Sequence, residues 1–199
     1  TVPLGTALTL DTTTQNLILN ARSFTNDSTS AVWSGNSAIQ VGGGAVFTNA
    51  GSLSATGNGS LTNFGSSLGT FNNTGTLTKT TGTGTTTVTT NGPVDFNNSG
   101  TLDIQSGTLS VSSTSFVQSG TVVLGSGTTL SRANGFTNTG ILRGNGTIDV
   151  SGGALTNSGT IRPDGSGADP TGVLTITGDF TQSAGGTLDM QSEGTSAGL

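Results

Sequence analysis

Ten carboxylates and five basic side chains supply all the acid–base chemistry of this 199-residue chain, which contains no His, Cys or Tyr. A glycosidase needs two carboxyl groups about 5 to 9.5 Å apart. Asp103, Asp149 and Asp189 are the acids to weigh, because each sits in an alternating run, Leu102-Asp103-Ile104, Ile148-Asp149-Val150 and Leu188-Asp189-Met190. Period-two alternation points the aspartate outward and its apolar neighbours inward. No cluster of Arg, Lys, His or Tyr accompanies them to shift a pKa, so they read as solvating groups, and no catalytic residue is assigned. Asp164 and Asp169 bracket a Gly-rich stretch whose carbonyls and carboxylates are oxygen ligands of the kind calcium takes. Their spacing matches neither the EF-hand loop nor the calcium-binding β-roll repeat. A plain loop extension between Pro163 and Pro170 is the better expectation. Other metals lack their soft ligands, and no cofactor is implied.

Two further groups of residues suggest surface chemistry. The run from Thr78 to Thr90 is rich in Thr-x-Thr spacing, and an outward threonine array on a β-solenoid resembles the surfaces of ice-binding proteins. Here the spacing looks confined to one coil, and Thr is also a good strand former with a polar face. Trp33, the single tryptophan, has the chemistry of an anchor for a partner or sugar, but it reads better as a plug for wide first coils. The Gly-x-Gly pairs at Gly82 and Gly144 open no helix, which removes a phosphate-binding interpretation.

The elements that must position these residues announce themselves by repetition. Phe96-Asn97-Asn98-Ser99-Gly100-Thr101-Leu102 recurs from Phe47, Phe71, Phe116, Phe136 and Leu155, with looser copies from Phe24 and Phe180. The leading residues are spaced 23, 24, 25, 20, 20, 19 and 25 apart. A period of roughly 20 to 25 residues is that of a solenoid, in which each repeat buries its apolar face only by stacking on the next. Within the phrase, Phe and Leu flank an Asn-x-Gly element, which reads as strand, tight corner, strand. Gly and Asn tolerate the positive φ that a sharp bend demands. A second Gly-rich bend, such as Gln105-Ser106-Gly107, starts another strand. No 3.6-residue periodicity competes.

The predicted fold is therefore all-β, a single-stranded parallel β-helix of about eight coils, right-handed by the strong default for parallel crossovers. At ~4.8 Å per coil it would be a rod on the order of 40 Å long. One domain spans 1–199, with an irregular coil or cap over 1–23, repeat coils over 24–191 and a tail over 192–199. Phe47, Phe71, Phe96, Phe116, Phe136, Leu155 and Phe180 are the expected core stack. Asn49, Asn73, Asn98, Gln118, Asn138, Asn157 and Gln182 are the expected corner ladder, bonding amide to amide like the aligned side chains of cross-β structures. Leu4, Leu8, Leu10, Leu17, Ile18 and Leu19 form two apolar runs that either complete the first coils or pair with another subunit.

Composition excludes several partner classes. Charged residues make up 8% of the chain, against roughly 25% in ordinary soluble domains, so hydroxyls and amides must carry solubility. The five basic residues, Arg22, Lys79, Arg132, Arg143 and Arg162, are scattered and form no footprint for nucleic acid. No stretch approaches the ~20 apolar residues of a membrane-crossing helix, so direct membrane insertion is not expected. The 45 Leu, Ile, Val and Phe residues sit in register with the repeat, which separates the chain from disordered low-complexity sequence. The first residues show no charged-then-apolar leader, and the chain reads as a segment of something longer or one whose leader is gone.

The repeated phrases resemble the β-strand repeats of bacterial surface proteins, autotransporter passenger domains and filamentous-haemagglutinin-type adhesins. The likeness is closest over Leu155-Thr156-Asn157-Ser158-Gly159-Thr160-Ile161-Arg162-Pro163 and the following Gly172–Asp189. It implies a right-handed β-helix displayed outside a bacterial cell, secreted or at the cell surface. The expected function is a non-enzymatic structural or adhesive module, a stalk that meets a host or glycan surface. A self-assembling fibre subunit joined to itself head to tail is the alternative, and a carbohydrate-active β-helix a more distant one.

Overall fold

The computed structural model describes residues 1–88, 94–164 and 172–190. Among them there is no α-helix, and every strand pairing is parallel. The chain is a parallel β-solenoid in which each coil contributes three short strands. One coil illustrates the rest: Thr101–Ile104 lies on the first face, Thr108–Val111 on the second and Ser115–Gln118 on the third. The first face is a nine-stranded ladder from Thr9–Thr12 to Thr187–Leu188. The second and third faces join into one 14-stranded sheet because Thr147–Asn157, 11 residues long, runs across both.

Strict alternation drives this packing. In Thr101–Ile104, Leu102 and Ile104 point in and are 1% and 0% exposed, while Thr101 and Asp103 face out. The leading residues stack as seven in-register steps from Phe24 to Phe180. From Phe24 to Phe136 their ring centroids are 5.0 to 5.5 Å apart, within the range where aromatic pairs add to plain area burial. Phe180 departs from the expected core stack. It pairs with Leu155 but is 38% exposed, because no coil of the described residues covers its other side.

The Asn-x-Gly corner is where the physical reason differs from the sequence expectation. Gly51, Gly75, Gly100, Gly120, Gly140 and Gly159 do not have positive φ. A methyl group on Gly75, Gly100, Gly120, Gly140 or Gly159 would instead overlap the carbonyl oxygen of the same glycine one coil earlier, and on Gly51 it would overlap Ser28. Close approach of successive coils, not bend strain, requires glycine there. The corner's backbone is also fully used: the amides of Thr74 and Gly75 both donate to the Asn49 carbonyl at 2.9 and 2.8 Å, and those of Ser99 and Gly100 to Asn73 at 3.0 and 2.9 Å.

The N-terminal residues do not stand apart from the solenoid. Thr9–Thr12 pairs in register with Val32–Gly35, and Leu17–Asn20 with Ile39–Gly42, so they build the first coil, and Val2 bridges to Asn26. The expected tail, residues 192–199, lies outside the described residues.

Candidate functional site

The corner amides form a buried chain of side-chain hydrogen bonds. Asn26 Nδ2 donates to Asn49 Oδ1 at 2.7 Å, Asn49 to Asn73 at 2.8 Å, Asn73 to Asn98 at 2.7 Å and Asn98 to Gln118 Oε1 at 2.7 Å. There the chain of amides breaks: Gln118 Nε2 turns to Gly120 O at 2.9 Å. It resumes from Asn138 to Asn157 at 2.9 Å and from Asn157 to Gln182 at 3.0 Å. Asn26, which carries the first rung, was not legible because its phrase, Phe24-Thr25-Asn26-Asp27-Ser28, lacks the glycine. All six of these asparagines are 0% exposed, so their bonds replace solvation that burial removes.

Asp103, Asp149 and Asp189 do not converge on one another. Asp103 is flanked in register by Thr78 and Val123, and Asp149 lies on a different face between Ser131 and Thr177. Asp189 shares the first face with Asp103 but lies four strand spacings away, ~19 Å. That is beyond the reach of a paired-carboxylate mechanism. The Ser151 hydroxyl, then its amide, holds the Asp149 carboxyl below the usual range through bonds of 2.6 and 3.0 Å.

Asp164, the weak calcium candidate, is held by two arginines. Its Oδ2 lies 3.2 Å from Arg143 Nε and 3.5 Å from Arg162 Nε, and Arg162 also approaches Asp189 at 3.7 Å. Two guanidinium groups in register on the first face already compensate this buried carboxylate and would repel a divalent cation. Asp169 lies outside the described residues. Among the described residues no three metal-ligating side chains come together.

Two buried cations were missed by sequence reasoning. Lys79, 3% exposed, occupies an inward position of Thr76–Lys79, where Ala55 stands one coil earlier and Ile104 one coil later. Its Nζ donates to Gly82 O at 2.9 Å and Asn58 Oδ1 at 3.2 Å, with Gly57 O and Thr81 O at 3.4 Å. Arg132 donates to Gly135 O at 2.9 Å and Ser113 O at 3.0 Å, and lies 5.6 Å over the Phe116 ring. Burial lowers both pKa values. Each cation ties two successive corners together through neutral oxygens. The alternation Leu77-Thr78-Lys79 held the signal for Lys79.

Trp33 is 5% exposed and donates from Nε1 to Thr12 Oγ1 at 3.2 Å. It fills the first coils and offers no surface anchor. Leu10 is likewise core, Leu8 and Leu19 pack against the core, and Leu4, Leu17 and Ile18 are exposed at 75%, 39% and 50%. An apolar cavity of about 160 Å³ opens beside them, lined by Leu10, Leu17, Ile18, Leu19, Phe24 and Phe47 among others.

The threonine run is not confined to one coil. On the second face Thr85, Thr108, Thr129, Thr147 and Thr175 fall in one register column. Two residues on, Thr87, Ser110, Ser131, Asp149 and Thr177 form a second. Unequal coil lengths hide this alignment in the sequence. The signal was the repeated start of these strands, Thr108-Leu109-Ser110, Thr129-Leu130-Ser131, Thr147-Ile148-Asp149 and Thr175-Ile176-Thr177.

No protein-family model, curated protein or solved structure matches the chain. The β-solenoid therefore rests on the chain's own strand pairing.

Proposed function

We propose that this chain is a non-enzymatic structural or adhesive β-helix segment of a bacterial surface protein, a rigid extracellular stalk that presents its faces to a host or glycan surface. The observation that carries it is the unbroken stack from Phe24 to Phe180. A solenoid gains its stability from contacts between adjacent coils and converts length into reach. The dispersed acids add nothing that competes with this role. Negative-stain electron microscopy and small-angle scattering of the purified chain test it: monomeric rods on the order of 40 Å are expected, and a compact particle would sink it.

A self-assembling fibre subunit is the second reading, favoured by one observation. The first coil exposes Leu17 and Ile18 beside the apolar cavity, and the far end exposes Phe180 and Leu188 at 38% and 45%. Unpaired strand edges with apolar neighbours are templates for further strands. Filaments that lengthen with protein concentration, and that Ile18→Lys abolishes without unfolding the chain, would transfer the assignment to this reading.

A further inference from the structure

We propose that the second face, from Thr85–Val88 to the start of Thr175–Gln182, binds crystalline water. This goes beyond the stalk role and does not depend on it. The two columns hold ten outward positions, nine of them hydroxyl-bearing and one a carboxylate, Asp149. In the first column the backbone amides of Thr108, Thr129, Thr147 and Thr175 donate into the ladder, while the hydroxyls of all five threonines bond no described residue, so the hydroxyls' donor and acceptor capacity faces outward. Asp149 already accepts from the Ser151 amide and hydroxyl.

The geometry selects the ligand. Neighbouring rungs repeat at ~4.8 Å and the two columns lie about 6.6 Å apart along each strand. Only a ligand that is itself periodic in two directions engages all the rungs together. The array carries almost no charge, which disfavours an ionic polymer. The phenylalanines of its four fully stacked coils are buried, so no aromatic platform faces a sugar from them. Ice is neutral, accepts and donates equally, and repeats in its basal plane at close to the rung spacing. Threonine suits it because β-branching restricts χ1; hydroxyl and methyl are held in place before binding, which lowers the ordering cost. The first face carries a shorter array, Ser52, Thr76, Thr101 and Thr121 in register, which is interrupted at Ile141, and its second column runs through Val123, Arg143 and Arg162.

Thermal hysteresis and ice-affinity partitioning of the whole 199-residue chain test the proposal. Faceted ice crystals and enrichment of the protein in growing ice are expected. Thr129→Tyr, at the centre of the array, should lose about tenfold or more of the hysteresis, as when a central contact is blocked. Val123→Tyr, at an outward apolar position of the first face, should lose none. Circular dichroism verifies the fold of each variant, and Thr147→Lys serves if Thr129→Tyr does not fold. Absence of hysteresis in the parent chain, equal loss in both variants, or retention in Thr129→Tyr and Thr147→Lys would overturn it. So would binding to particulate cellulose or chitin that Thr129→Tyr abolishes while ice is unaffected.

Discussion

Six phrase corners in the middle of the solenoid turn in two residues, from Ala50-Gly51 to Ser158-Gly159, whereas the first and last, 27–30 and 183–186, take four. In the middle corners a Cβ on the glycine would strike the corner of the coil before it, and Gly186 in the last corner stands equally close to the Asn157 carbonyl. Inside the stack the leading residue is buried, as at Phe96 and Leu155, both 0% exposed; at its end Phe180 is covered on one side only. Extra residues elsewhere are confined to the other two corners of each coil, as in 80–84 and 65–68. The tight corner sets the coil-to-coil fit, and the remaining corners absorb variation in length.

The largest effect that can test this contrast is at the leading positions. Phe96→Ala should cost about 3–5 kcal/mol, the range for a phenylalanine removed from a packed core, as read by denaturant unfolding. Phe180→Ala should cost under about 1 kcal/mol. Equal losses would show that the last coil is as tightly bound as the middle.

Next comes the amide chain. Asn98→Ala removes the acceptor of Asn73 and the donor to Gln118 at once, and each buried group left without a partner costs about 1–3 kcal/mol. Gln182→Ala leaves an exposed site and should shift stability by no more than about 0.5 kcal/mol. A small loss at Asn98 would mean that the neighbouring amides find other partners, as Gln118 already does with Gly120.

The smallest effect is in acid. Asp11 in the first coil and Asp149 in the middle both have lowered pKa values. Asp11 owes this chiefly to the Thr13 amide at 2.9 Å and Asp149 to the Ser151 hydroxyl. A carboxylate with a lowered folded pKa contributes stability that is present above its ordinary value of 3.8 and is lost as pH falls through the folded value. Asp149→Asn should flatten the acid limb of the global unfolding curve. Asp11→Asn should leave it unchanged if the first coil opens on its own, with hydrogen exchange of Thr9–Thr12 reporting the local event. An identical acid response in both variants would erase the distinction between terminal and middle coils.

The core was legible because one phrase places Phe, Asn and Leu at fixed offsets, so the rung pairing of Phe71 with Phe96 and Asn73 with Asn98 follows from laying the copies side by side. The reason for glycine was not, because contact with a neighbouring coil leaves no local mark, whereas a bend does. The threonine columns were hidden by the variable corners that precede them. Lys79 and Arg132 were passed over because long cations are usually solvated; only the parity of the Thr76–Lys79 strand shows that the lysine points inward.

The column of corner glycines has a consequence for how such a chain can change. From Gly75 to Gly159 each glycine fits against the glycine before it rather than against a unique partner, so the junction between any two of these coils is the same junction. A coil duplicated or deleted in frame would meet its new neighbour without a new interface having to arise. Length is then a trait that recombination can adjust in whole-coil steps, while the corner sequence itself stays nearly closed to substitution.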